Sequence, residues 1–203
     1  VVGDGMTCLA GDALGDGRID AGDASTVLRI AVGLITTPDV SVRCGSDFNR
    51  DGYIHAGDGV LILRRAAGFE DSAPRMEFSP EVELVQTGAG ARLRITGAAF
   101  AHGASLRVRA VGGLELGGLE TGSSALAARR IDADEAIIAL ADVAPIAEGA
   151  LEFDIEATGT GRLVIDELLL FGADGEAHFE AADPLVLDLS GTPVMTRVAL
   201  GNT

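Results

Sequence analysis

From Met76 onward the chain is written in short apolar segments with alternating polar positions. These are EVELVQT (81–87), ARLRITG (91–97), SLRVRAV (105–111), EAIIALA (135–141), ALEFDIEA (150–157), RLVIDELLLF (162–171) and PLVLDLS (184–190). Side chains two apart share one face of a strand, so this period predicts strands with one face turned to a core. Glycine-rich turns at intervals of about 10 to 15 residues favour a β-sandwich over βαβ units. VMTRVAL (194–200) reads as a further strand, VGGLELGG as turns, and SSALAARRIDA (123–133) as either a helical turn or a loop. Glu70 to Arg75, with Pro74, is polar and reads as a linker.

The part before Phe69 has another pattern. Shifted by 35 residues, GDALGDGRIDAGDASTVLRIAVGL aligns with SDFNRDGYIHAGDGVLILRRAAGF. Asp12, Asp16, Gly17, Ile19, Ala21, Gly22, Asp23, Leu28, Arg29, Ala31 and Gly33 each meet an identical residue. Chance does not keep that many Asp and Gly positions in phase, so the segment is a duplication.

Each repeat opens with a loop suited to a hard cation. Calcium takes oxygen ligands at alternating loop positions and needs a glycine at the sixth for the sharp turn. In the second repeat Asp47, Asn49 and Asp51 stand at positions one, three and five, Gly52 at six, the Tyr53 carbonyl at seven and Asp58 at twelve. His55, at nine, is expected to face a bound water or solvent, and Ile54, at eight, to pack between the loops. In the first repeat Asp12, Asp16, Gly17, the Arg18 carbonyl, Asp20 and Asp23 fall in register, but Leu14 stands where an oxygen belongs. That site either recruits water, binds more weakly or rotates its ligands by a residue, with Asp20 partly compensating. Two calcium ions are therefore expected.

The segment from Gly11 to Phe69 resembles a dockerin module, in which each of two such loops is followed by one helix with no entering helix. Asp23 and Asp58 as closing ligands, and the pairs Leu28-Arg29 and Leu63-Arg64, carry the resemblance. It implies that the helix starts and one helix face grip a partner sandwich, a cohesin. The matching partner-binding positions are Ala21, Gly22, Arg29, Ala56, Gly57 and Arg64. Residues from about 76 to 190 resemble, more loosely, the cohesins themselves, through the run GALEFDIEATGTGRLVIDELLLFGADGEA. An immunoglobulin-like sandwich is the other reading. The expected fold is α+β and multidomain: residues 1–72 a small calcium-loop domain, 73–190 an all-β sandwich, and 191–203 a strand-like tail.

Composition narrows the function. The net charge is −16, and all 15 basic residues are Arg, which opposes binding to phosphate backbones or anionic lipid. Trp is absent and Tyr occurs once, so an aromatic platform for sugar is not offered. His55, His102 and His178 are the only groups suited to acid–base work near neutrality, and none is spaced toward a Ser or Cys nucleophile. No catalysis is expected. Cys8 and Cys44 either bridge, closing a loop of about 36 residues in an oxidising compartment, or remain two buried thiols.

A plug and a candidate socket on one chain imply a non-enzymatic, calcium-stabilised assembly protein at the cell surface. Head-to-tail polymerisation, through the plug or through strand addition by the tail, is the expected form. The head docked on its own sandwich, or on a separate scaffold, are the other arrangements. A targeting or polysaccharide-binding module of a cellulosome-like system is the rival function.

Overall fold

Two loop residues decide where the long helices begin. Asp20 N-caps helix α1 (Ala21–Ala31), its Oδ1 accepting from the Gly22 N–H at 2.7 Å, while Asp23 accepts from the Asp20 N–H at 2.9 Å. His55 does the same for the helix of the second repeat, Nδ1 accepting from Gly57 N–H at 3.1 Å and Asp58 accepting from His55 N–H at 3.0 Å. Positions nine and twelve of each loop are thus the reciprocal pair of a capping box. The loop and the helix after it are one local unit. A short helix, α2 (Val40–Ser46), capped by Asp39, joins the repeats, and α3 (Ala56–Ala66) ends the head.

In this computed structural model the described residues are 8–69, 80–146, 149–181, 183–190 and, for backbone alone, 195–199. A disulfide links Cys8 to Cys44, with Cα atoms 6.1 Å apart. Ala13, Ala24, Val27 and Ile62 form the small core between the repeats, and Ile19 and Ile54, the eighth residues of the two loops, pack on it.

Among the described residues eleven strands follow: β1 (Glu81–Thr87), β2 (Gly90–Thr96), β3 (Gly103–Val111), β4 (Leu114–Thr121), β5 (Leu126–Ile131), β6 (Glu135–Ala141), β7 (Ala150–Gly159), β8 (Arg162–Phe171), β9 (Ala177–Glu180), β10 (Leu185–Asp188) and β11 (Met195–Ala199). They build two antiparallel sheets, β11-β1-β2-β7-β4 and β10-β8-β3-β6-β5, with β9 added to β8. Leu93, Ile95, Leu106, Val108, Leu119, Ile138, Leu140, Phe153, Leu168 and Leu170 fill the space between them. The outer face of the first sheet meets water, and there Arg92 pairs with Asp154 and Arg94 with Glu152.

The second sheet meets water on its outer face at β3 and β8, where Arg109 pairs with Asp166, but not along β6. Ala136, Ile138 and Leu140 of β6 point into the sandwich, while Ile137, Ala139 and Ala141 point the other way and are also buried. Leu28 of α1, Val32 at its C-cap, and Ala56 and Val60 of α3 cover them, with Phe171 and Ala128 flanking on the sheet. The chain is therefore three layers deep: helices, sheet, sheet.

Several elements depart from the sequence expectation. Residues 126–131, expected as a helical turn or loop, are the edge strand β5. Of residues 111–118, expected as turns, 114–118 belong to β4, whose register shifts between Leu116 and Gly118, so the paired glycines mark a bulge within a strand. Met195–Ala199 of the expected tail pair with Glu81–Val85 as the edge of the chain's own first sheet. The rest of residues 191–203 lies outside the described residues.

The disulfide closes the head over a sequence separation of 36, which in the chain-entropy account contributes about 4 kcal/mol. Replacing both cysteines with serine is expected to lower the melting temperature of the head and expose it to protease in the absence of calcium. Matched thermal melts and proteolysis rates of the two proteins check this.

Candidate functional site

The two loops follow one backbone path. Position six is a left-handed glycine in each, Gly17 (φ 82°) and Gly52 (φ 92°), and position four is also left-handed, Gly15 (φ 71°) in one and Arg50 (φ 62°) in the other. Arg50 is the one non-glycine with positive φ among the described residues, so the turn is imposed on a residue that resists it. In loop one Asp12 accepts from the N–H groups of Asp16 and Gly17, and Asp23, buried, accepts from Leu14 and Asp20. Leu14 is exposed, with its N–H held by Asp23. In loop two Asp47 accepts from Gly52, while Asp58, fully buried, accepts from Phe48, Asn49 and His55.

Burial pushes the Asp58 carboxyl up to about 6, against the opposing pull of His55 and those backbone donors. At Asp51 burial is outweighed by hydrogen bonds from Tyr53 N–H, the Asn49 amide and His55, so that carboxyl sits below the usual range. Among the described residues no three His, Cys, Asp or Glu side chains converge at metal-holding distance. The donor chemistry nevertheless fits a hard cation. Asp47, Asn49, Asp51, Asp58 and the Tyr53 carbonyl are all oxygen donors on a path turned by Gly52, and Asp47 Oδ1 is buried with no hydrogen-bond partner. Loop one offers Asp12, Asp16, Asp20, Asp23 and the Arg18 carbonyl, with Asp16 and Asp20 exposed.

His55 departs from expectation. Its Nε2 lies 3.0 Å from Asp51 Oδ2 and its ring stacks on Phe171 of β8, centroids 4.8 Å apart. The second loop therefore abuts the sandwich. The partner-binding positions drawn from the sequence separate into two groups. Ala56 and Gly57 are buried on the chain's own second sheet, and a Cβ on Gly57 would come within 2.1 Å of the Gly175 carbonyl oxygen. Gly175, in the turn between β8 and β9, has φ 74° and lies beneath Leu61. Arg64 is half-buried beside Phe69 and near His102. Ala21 and Arg29 are exposed and Gly22 half-buried, and a Cβ on Gly22 would meet only Asp20 and Leu14.

Contacts that sequence reasoning missed complete the interface. Arg130 of β5 donates Nη1 to the Val32 carbonyl at 3.1 Å, closing the C-terminal end of α1, and is itself held by Asp132 and Glu135. Ala139 and Ala141 keep the sheet flat enough for Gly59 to approach: a Cβ built there would stand 3.2 Å from the Ala141 Cβ. The signal was in EAIIALA, apolar at six successive positions and so suited to a strand covered on both faces. The other two histidines are also structural in their surroundings. His178 is hydrogen-bonded to Asp174, and His102 lies at the foot of β3, its main chain bonded to Phe171 and Asp142.

No protein-family model matches the sequence, and no curated protein is similar to it. Solved structures share part of its shape. A non-cellulosomal cohesin from the archaeon Archaeoglobus fulgidus is 12% identical, with a TM-score of 0.33 over 50% of this chain and 74% of its own. A cohesin module from a Clostridium perfringens family 33 glycoside hydrolase is 12% identical, with a TM-score of 0.38 over 61% and 97%. The N-terminal domain of Neisseria meningitidis DsbD, in its reduced form, is 14% identical, with a TM-score of 0.33 over 59% and 90%.

Burial, with the nearby Arg64 guanidinium, holds the His102 imidazole below its ordinary 6.5, although backbone carbonyls of Asp142 and Val143 and the Asp142 charge pull the other way. A lowered folded-state value means that the proton prefers the unfolded or undocked chain. The stabilisation is complete above the ordinary value and is lost as pH falls below it. Because Asp58, raised to about 6, titrates in the same range with the opposite sign, the His102 contribution is read by difference: on going from pH 7.5 to about pH 5.5 the wild type is expected to lose more, or gain less, melting temperature than a His102→Gln variant. Parallel melts at fixed calcium measure the difference.

Proposed function

We propose that this chain is a non-enzymatic, calcium-stabilised assembly protein whose head and sandwich are a matched plug and socket. The observation that carries the reading is the seating of α3 on the second sheet, with Gly57 against Gly175 and Ala56 and Val60 buried. Complementary glycines on two separate modules make an interface that is shaped for close backbone approach. In the closed chain the contact is made in cis. Made between chains, the same contact is heterologous, and its repetition gives a ring or an open fibre. Calcium at two loops would bind the folded head and not the unfolded chain, and so stabilise the plug by mass action. Calcium as a structural ion, and the Cys8–Cys44 bond, suit an extracellular or surface setting.

A second reading has its own support. The start of α1 repeats the Ala-Gly of α3, yet Ala21 is exposed, and Ser25 and Thr26 replace Val60 and Leu61. That face is suited to a protein partner of another kind, such as a cohesin-like sandwich on a scaffold, while the second repeat stays docked at home. In this arrangement the chain is an adaptor.

Shortening the connection between head and sandwich separates the two. Deletion of residues 71–75 is expected to prevent docking in cis and to drive calcium-dependent dimers or longer chains, which dissociate in EDTA. Light scattering coupled to size-exclusion chromatography reads the mass. A deletion variant that remains monomeric at all concentrations with calcium present would rule out assembly through this contact.

A further inference from the structure

His55 belongs at once to the second calcium loop and to the interface with the sandwich. Its Nδ1 accepts from Gly57, its Nε2 reaches Asp51 Oδ2 at 3.0 Å, its main-chain N–H holds Asp58, and its ring lies on Phe171. Asp51 and Asp58 are positions five and twelve of the loop. The Asp51 carboxylate is thus oriented by a side chain that the sandwich itself pins, and Asp58 by the main chain of the same residue. The first loop repeats the main-chain bond, Asp20 N–H to Asp23, but not the side-chain link: Asp20 stands in the place of His55, is exposed, and caps α1 through the Gly22 N–H.

We propose that cation binding at the second loop is coupled to seating of the head on the sandwich, with His55 as the positioning residue, whereas the first loop is indifferent to docking. The inference rests on the reading of the loops as calcium sites. When the head lifts away, the ring loses Phe171, and Asp51 loses the fixed group that holds it in place. Outer contacts of this kind are worth about 10- to 100-fold in metal affinity. Reciprocity follows, since whatever factor docking adds to ion affinity, the ion adds to docking. The second loop then reports to the interface, and the first serves the head's own fold.

Terbium(III) luminescence gives a selective test, because Tyr53, in the second loop, is the one tyrosine of a chain without tryptophan. Light absorbed at Tyr53 sensitises an ion in its own loop most strongly, because transfer falls steeply with distance. The full chain is compared with two variants altered on the sandwich side, away from the ligands. Ala141→Leu wedges against Gly59, and Phe171→Leu removes the ring beneath His55. Circular dichroism melts of the sheet identify a variant that has failed to fold, and the other then carries the comparison. The expected result is a roughly tenfold rise in the terbium concentration for half-saturation at Tyr53, while calorimetry finds calcium binding at the first loop unchanged. Equal half-saturation in wild type and folded variants overturns the coupling and leaves the calcium reading standing. Absence of any Tyr53-sensitised emission in the wild type overturns both.

Discussion

The arrangement depends on a strand that has no solvent side. A sheet in an ordinary sandwich turns one face to water, and polar residues there keep it soluble. In β6 both faces are apolar, so Ile137, Ala139 and Ala141 require a cover. The helices of the head supply it, and the small side chains on the sheet and the glycines at the start of α3 let the two backbones come close. Burial of apolar surface provides the attraction, whereas the glycines decide which part of the helix fits. The seam where Gly57 meets Gly175 therefore sets the placement of the whole head.

That placement makes the duplicated head unequal. The two repeats share their loop path, their capping boxes and the packing of Ile19 and Ile54 at their common core. They differ where they meet the sandwich. α3 presents its first half, Ala56 to Val60, and α1 its second half, Leu28 and Val32. The first half of α1 is left with Ser25 and Thr26 where α3 has Val60 and Leu61. Duplication made two similar helices, and polar substitution kept one start compatible with water.

Much of the strand layout was legible because alternation and glycine turns are local signals. EVELVQT, EAIIALA and RLVIDELLLF fall on β1, β6 and β8 without shift. β4 was hidden by Gly117-Gly118, which reads as a turn until its partner β7 is known. β5 was hidden because LAARRI, at an edge and beneath a helix, lacks strict alternation. The path of the two loops was legible because a sharp turn at the sixth position calls for glycine, and Gly17 and Gly52 are both left-handed. The role of His55 was not, since its neighbour Phe171 is 116 positions away, and no spacing rule reaches that far. Likewise the resemblance named a gripping surface but said nothing of which molecule it grips.

The edge ladder between β1 and β11 has a mechanical meaning. Glu81 at the start of β1 faces Ala199 at the end of β11, so the two chain directions leave the ladder at the same corner. Tension applied between the head side and the carboxyl side of the sandwich loads the ladder one hydrogen-bonded pair at a time, as a zip is drawn, and not the whole ladder in shear. The first sheet would thus shed its outermost strand under a pull that leaves the buried strands beneath the helices untouched.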